Sequence, residues 1–114
     1  MKASVTVKEN YEFRRIYRKG RSAVSPCLVT YCQKNRKRQS RLGITVSTKL
    51  GHAVVRNRVR RRLREVYRLN ESRFLPGYDI VVVARTAAVG ASFDQLTDAY
   101  LSLARKAGIL EDAI

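Results

Sequence analysis

Apolar positions recur at helical spacing in three stretches of the chain and at strand spacing in four others. Phe13, Ile16 and Tyr17 share one helical face. Thr6 and Glu9 ahead of them have the spacing of a capping box and Gly20 supplies a stop, so a first, short helix is predicted. Between residues 22 and 33, Leu28, Thr30 and Cys32 alternate against Val29 and Tyr31, with Pro26 interrupting: a short strand, a break, then a longer strand. Residues 34–41 are polar and basic, as a loop tip is, and residues 42–47 resume a strand, so an antiparallel pair is expected there. Residues 53–71 form the longest predicted helix, with Val55, Val59, Leu63, Val66 and Tyr67 on one face. After the Pro76-Gly77 turn, residues 78–84 (YDIVVVA) are apolar without alternation, the mark of a strand covered on both faces, which belongs in the middle of a sheet. Ser92 and Gln95 make a second capping box, Phe93, Leu96, Tyr100 and Leu103 form a stripe, and Gly108 closes the last helix.

The order is therefore α-β-β-β-α-β-α, which packs as an α/β (α+β) two-layer sandwich of helices on a sheet. Neither an internal repeat nor a linker divides the 114 residues, so one domain spanning 1–114 is expected. A chain of this length buries about two-thirds of the surface its unfolded form exposes.

Charge changes the picture. Twenty-four Lys and Arg against nine Asp and Glu give a formal net charge of +15, a self-repulsion that points to a polyanionic partner, nucleic acid first. Residues 1–85 hold 22 of the basic side chains, whereas residues 86–114 are slightly acidic, so the C-terminal helix is not the binding surface. Cys27 and Cys32 lie in one extended run, about 16 Å apart at strand rise, too far for a disulfide. With His52 the sole histidine, a zinc site lacks ligands, and both thiols read as reduced. No apolar run approaches a membrane span and no signal-peptide core is evident, so the cytoplasm is the expected location.

The charge concentrates on the long helix. With Val55 at the centre of the apolar face, Asn57, Arg60, Arg61, Arg64 and Arg68 fall opposite it, Arg56 and Arg58 flank them, and Arg62 lies nearer the apolar side, where its stem can snorkel. Glu65 is the sole carboxylate between Val54 and Leu69. A stripe so rich in Arg, whose planar fork matches phosphate, favours nucleic-acid contact over a merely solvated face. A membrane-surface or calmodulin-target helix would need Val55, Val59 and Leu63 free to insert, yet the core requires them.

The segment GHAVVRNRVRRRLREVYR at residues 51–68, with Arg56-Asn57-Arg58 at its heart, resembles the signature of the bacterial ribonuclease P protein component. The pattern Phe13-x-x-x-Tyr17-x-x-Gly20, the Tyr31 strand, the Arg41-Leu42-Gly43 step and the strand running into Arg85 agree with it, over about residues 7–107. The resemblance implies a mixed sheet with the long basic helix in a left-handed crossover. It implies an RNA subunit that catalyses with Mg²⁺, and a protein that binds this RNA and the 5′ leader of precursor tRNA. It further implies that Arg56, Asn57, Arg58, Arg60, Arg61, Arg64 and Arg68 meet the RNA subunit and nearby phosphates. Phe13, Tyr17, Tyr31, Lys49 and Arg85 would line a leader-binding cleft. Read from periodicity alone, Phe13 is plain core. The family commonly has Asn where this chain has His52, whose role is left open.

The protein is not expected to be the nuclease. Glu9, Glu12, Glu65, Glu71, Asp94 and Asp98 are scattered over three helices and Asp79 stands alone beside a strand, so the acids read as caps or surface charges, not as a metal cluster. A lone His52 offers no acid–base pair. A ribosomal or other structural RNA-binding protein is the main alternative, since it shares the charge and size without needing leader-cleft aromatics. A DNA-binding module is weaker, because no helix-turn-helix pair precedes residue 53.

Overall fold

The computed structural model describes residues 5–6, 10–35 and 39–110. Among the described residues, three α-helices and a mixed five-stranded sheet make up the fold. The strands are β1 (Val5–Thr6), β2 (Arg21–Val24), β3 (Leu28–Lys34), β4 (Arg41–Thr45) and β5 (Tyr78–Ala84), in the order β1-β4-β5-β3-β2. Helix α1 spans Asn10–Lys19, α2 Ala53–Asn70 and α3 Phe93–Ala107.

Strand β5 occupies the centre, as its unbroken apolar run predicts. It pairs antiparallel with β3, from Leu28 opposite Ala84 to Lys34 opposite Tyr78, and parallel with β4, from Arg41 opposite Asp79 to Thr45 opposite Val83. The expected antiparallel pairing of residues 28–33 with 42–47 is therefore incorrect: β5 lies between them. Two strands joined by a short polar loop satisfy the hairpin pattern locally, but only a third strand that is apolar on both sides lets each of them bury one face without an exposed centre.

Alternation along β5 divides the core. Ile80, Val82 and Ala84 face α2 and α3 together with Leu28, Cys32, Val59, Leu63, Val66, Leu96, Tyr100 and Leu103. Val81 and Val83 face α1 with Ile16, Phe13, Tyr17 and Tyr31. The sandwich of sheet on helices thus holds for α2 and α3, and α1 lies across the opposite face. The predicted apolar face of α2 is the one that is buried, with Val59, Leu63, Val66 and Tyr67 inside. Between β4 and β5 the chain passes through α2, so the parallel pair is joined by a helical crossover.

Local chemistry fixes the ends. At α3 the Ser92 hydroxyl accepts from the Gln95 amide and the Gln95 side chain accepts from the Ser92 amide, completing the predicted box, and Gly108 closes the helix at φ 76°. Gly20 ends α1 where backbone crowds it: a Cβ there would stand 2.6 Å from the Ile16 carbonyl oxygen and 2.7 Å from that of Cys32. The cap expected from Thr6 and Glu9 lies partly outside the described residues; Thr6 itself belongs to β1, an edge strand the hydrophobic pattern did not disclose. Both cysteines are free, Cys32 in the core and Cys27 at its margin, and burial pushes the Cys32 thiol up from its ordinary value.

Candidate nucleic-acid interface

Two surfaces carry the side chains that the sequence singled out. The first is the outward face of α2. Arg58, Arg61 and Arg64 are exposed and make no hydrogen bond or ion pair with a described residue. Asn57 accepts from Arg60 Nη1 at 2.9 Å, which orients that guanidinium along the helix, and Arg56 donates through Nε to the Gly51 carbonyl at 3.2 Å, tying the first turn to the preceding loop. Arg62, on the apolar side, donates to the Ala91 carbonyl at 2.9 Å, so its stem does run over the core rim. The comb is not uniformly free. Arg68 grips Glu65 through two hydrogen bonds, at 2.9 and 2.6 Å, and the guanidinium holds that carboxyl below its usual range. The single acid of the helix is thus consumed by the last arginine of the stripe, leaving the middle cationic.

The second surface is the cleft between α1 and the sheet. Tyr17 stands edge-on to Tyr31 with ring centroids 4.9 Å apart, and Phe13 lies 6.3 Å from Tyr17 on the same flank of the helix. All three are partly buried, so Phe13 is neither plain core nor free surface: it packs against the small cluster of Ile16 and Val81 while remaining partly accessible. The Tyr17 hydroxyl and Thr45 Oγ1 are hydrogen-bonded at 2.9 Å, which fixes the ring across β5. Thr45 was not anticipated, although its place two residues past Gly43 and four past Arg41 puts it on the α1 side of β4. Lys49 is exposed in a short 3₁₀ turn, Thr48–Leu50, four residues beyond Thr45 on the path into α2. Arg85 is exposed just past β5 and donates to the Ser25 carbonyl at 3.0 Å, so its guanidinium is anchored on the turn between β2 and β3.

The structure corrects the reading of the acids. Asp79 is 1 % exposed and is no surface charge: Arg41 binds it through Nε at 2.9 Å and Nη2 at 2.7 Å, Asn35 donates at 2.9 Å, and Arg15 stands 3.8 Å away. Glu12 of α1 also pairs with Arg41. Burial pushes the Asp79 carboxyl up, but the hydrogen bonds from Arg41 and Asn35 and the nearby positive charges outweigh it and hold the group below its ordinary value. This network clamps α1 to β4 and β5. Glu71 is likewise buried. Among the described residues no three His, Cys, Asp or Glu side chains gather as a metal site, and no helix is long and apolar enough to cross a membrane.

A set of exposed cations on one helix face and half-buried rings along a groove is suited to holding phosphates and stacking unpaired bases. Among the described residues it contains no acid–base pair for bond cleavage. Residues 1–108 match the family model described as Ribonuclease P. The chain is 40% identical over 114 residues to the ribonuclease P protein component of Alkaliphilus oremlandii (strain OhILAs), covering all of both chains. It is 45% identical over 106 residues to that of Clostridium acetobutylicum, covering 91% of this chain and 89% of the relative. Among solved structures, the Staphylococcus aureus RNase P protein superimposes with a TM-score of 0.86 at 35% identity, covering 94% of this chain and 98% of that one. The Thermotoga maritima RNase P protein gives 0.80 at 31% identity, covering 88% and 96%.

Proposed function

Because the chain belongs to the ribonuclease P protein family, the protein components of a tRNA-processing endoribonuclease, we propose that it binds the catalytic RNA subunit through α2 and the 5′ leader of precursor tRNA through the α1 cleft. The observation that carries the reading is the pairing of two different surfaces in one small fold. A generic basic RNA-binding protein needs the arginine comb alone; the tilted row Phe13, Tyr17 and Tyr31 is an additional feature that accepts unpaired bases irrespective of sequence.

In this reading Arg58, Arg61 and Arg64 neutralise phosphates of the RNA subunit, while Arg56, Asn57 and Arg60 are held by the helix for the same task. Leader bases stack along the tyrosines, and Lys49 and Arg85 hold leader phosphates at the ends of β4 and β5. The 5′ end matures by endonucleolytic removal of the leader. Mg²⁺ belongs to the RNA subunit and supplies the catalytic chemistry there; the protein lowers the electrostatic cost of bringing two polyanions together. The cytoplasm is the location this role requires.

The test is reconstitution. Adding the protein to a bacterial ribonuclease P RNA at low Mg²⁺ should raise precursor cleavage well above that of the RNA alone. No enhancement would overturn the reading.

A further inference from the structure

Leader stacking on Phe13 and Tyr17 occupies one flank of α1. Tyr11 and Arg15, four residues apart, lie on the other flank, roughly 160° to 200° around the helix from Phe13. There they line a second, separate cleft of about 380 Å³ with Gln33 and Lys34 of β3 and Asn35 just beyond it; Arg41 and the two carboxylates it neutralises, Asp79 and Glu12, complete the lining. Neither the arginine comb nor the tyrosine row makes use of it.

Three features of this cleft ask for one kind of occupant. Gln33 lines the cleft, and its Oε1, closed off from solvent and without a hydrogen-bond partner among the described residues, is an acceptor that a folded protein rarely leaves unpaired; a turn of the side chain toward the cleft would offer it to an N–H donor. Tyr11 keeps 64% of its surface exposed, offering a flat, largely apolar face. Arg15 and Lys34 add positive charge; Arg15 is only loosely paired with Asp79, at 3.8 Å, and Lys34 is exposed without an ion pair to any described residue. A donor edge, a flat π face and an anion, in a space sized for a small ligand, together describe a nucleotide.

We propose that this cleft takes one unpaired nucleotide of RNA, its base lying on Tyr11 and donating an N–H to Gln33 Oε1, its phosphate held by Arg15 and Lys34. The inference rests on the family reading and extends it: unlike the tyrosine row, which ignores base identity, an orphan acceptor favours bases that present an N–H at that edge. The nucleotide can come from the RNA subunit or from the leader, and the chemistry is the same for both.

The experiment uses the reconstituted holoenzyme. A photoreactive residue, Tyr11→p-benzoylphenylalanine, should crosslink to one unpaired nucleotide, and mapping it in complexes with precursor and with leaderless mature tRNA assigns the source: retained in both, the RNA subunit; present only with precursor, the leader. Tyr11→Ala should weaken binding of that RNA about fivefold or more, as expected when one stacked base loses its platform. Gln33→Leu should weaken it about threefold or more, while the melting temperature holds or rises because an unpaired buried acceptor has been removed. That opposite movement of binding and stability is what a purely structural glutamine would not give. Normal assembly and precursor cleavage with scattered or absent crosslinks, or with both variants binding as wild type, overturns this site alone. Failure of the unmodified protein to assemble with the RNA overturns the family reading and the site with it.

Discussion

Replacing Arg58, Arg61 and Arg64 together by Ala tests the arginine comb most sharply, because these three have no partner among the described residues and none belongs to the core. Removing one phosphate-binding cation should lower the magnitude of the slope of log K against log salt by about 0.7 to 0.9. Removing all three therefore takes about 2 to 3 from the slope. Over a tenfold range of salt the wild-type affinity for the RNA subunit should fall about a hundredfold to five-hundredfold further than that of the variant. Folding should be unaffected or slightly improved, since Ala is the better helix former and three like charges disappear from one turn-to-turn row. Filter binding or fluorescence titration at several salt concentrations, with a melting curve for each protein, measures both quantities. Two internal comparisons sharpen the result. Arg68→Ala should shift the slope by less than half as much as Arg64→Ala, because Glu65 already neutralises Arg68. Lys106→Ala on α3, the helix outside the basic region, should shift it hardly at all. An unchanged slope in the triple variant with normal melting would return the comb to the status of a solvated face. A slope that changes equally in all variants would show general charge, not a docked helix.

Replacing Tyr17 and Tyr31 by Ala should cost about 1 to 3 kcal/mol per stacked base in precursor binding while mature tRNA binds the holoenzyme almost unchanged; equal losses toward both RNAs in paired titrations would remove the leader cleft. Asp79→Asn should destabilise the fold by about 3 kcal/mol, because it leaves the largely buried Arg41 with Glu12 as its remaining carboxylate, and urea denaturation reads this as a lower midpoint. Since the folded carboxyl titrates below its unfolded value, its contribution is complete above the ordinary Asp range and disappears as pH falls through the depressed value. Wild-type stability should therefore drop below about pH 4, and the Asn variant should lack that component of the drop; identical acid profiles would contradict the assignment. Gly20→Ala should destabilise by several kcal/mol and shift the end of α1, since its Cβ meets two carbonyl oxygens closer than atoms can approach; a melting temperature equal to wild type would show that the backbone yields there.

The elements that could be read from the sequence were those whose evidence is local. Ser92 and Gln95 cap α3 three residues apart, and the face of α2 with Val59 and Leu63 is written at a period that sterics alone convert into burial. The unbroken run of β5 announced its central position without naming its neighbours. Pairing depends on meetings of Leu28 with Ala84 and of Arg41 with Asp79, and no periodicity within either segment encodes the other. The Asp79 carboxyl was misjudged for the same reason: a lone acid at the start of an apolar strand looks peripheral until Arg41, 38 residues earlier, is brought beside it. Phe13 shows an intermediate case, in which helical spacing indicated burial correctly but could not show that the sheet under α1 is only partly covered. On the cleft's other flank, Gln33 gave no sign in the sequence at all, because an unpaired buried acceptor is a property of packing.

The central position of β5 also governs the order of events during synthesis. Strands β3 and β4 are not neighbours in the sheet and wait for a strand that begins at Tyr78, beyond the whole of α2. Until that strand leaves the ribosome, the nascent chain carries nearly all its arginines and a helix with an apolar face, but no surface to seat it. Closing the sheet requires joining positions from Leu28 to Ala84 in a single late step, with a large loop-closure entropy to overcome. Closure of the sheet is thus timed to the emergence of β5, and a nascent chain short of that strand carries most of the positive charge without the sheet that seats α2.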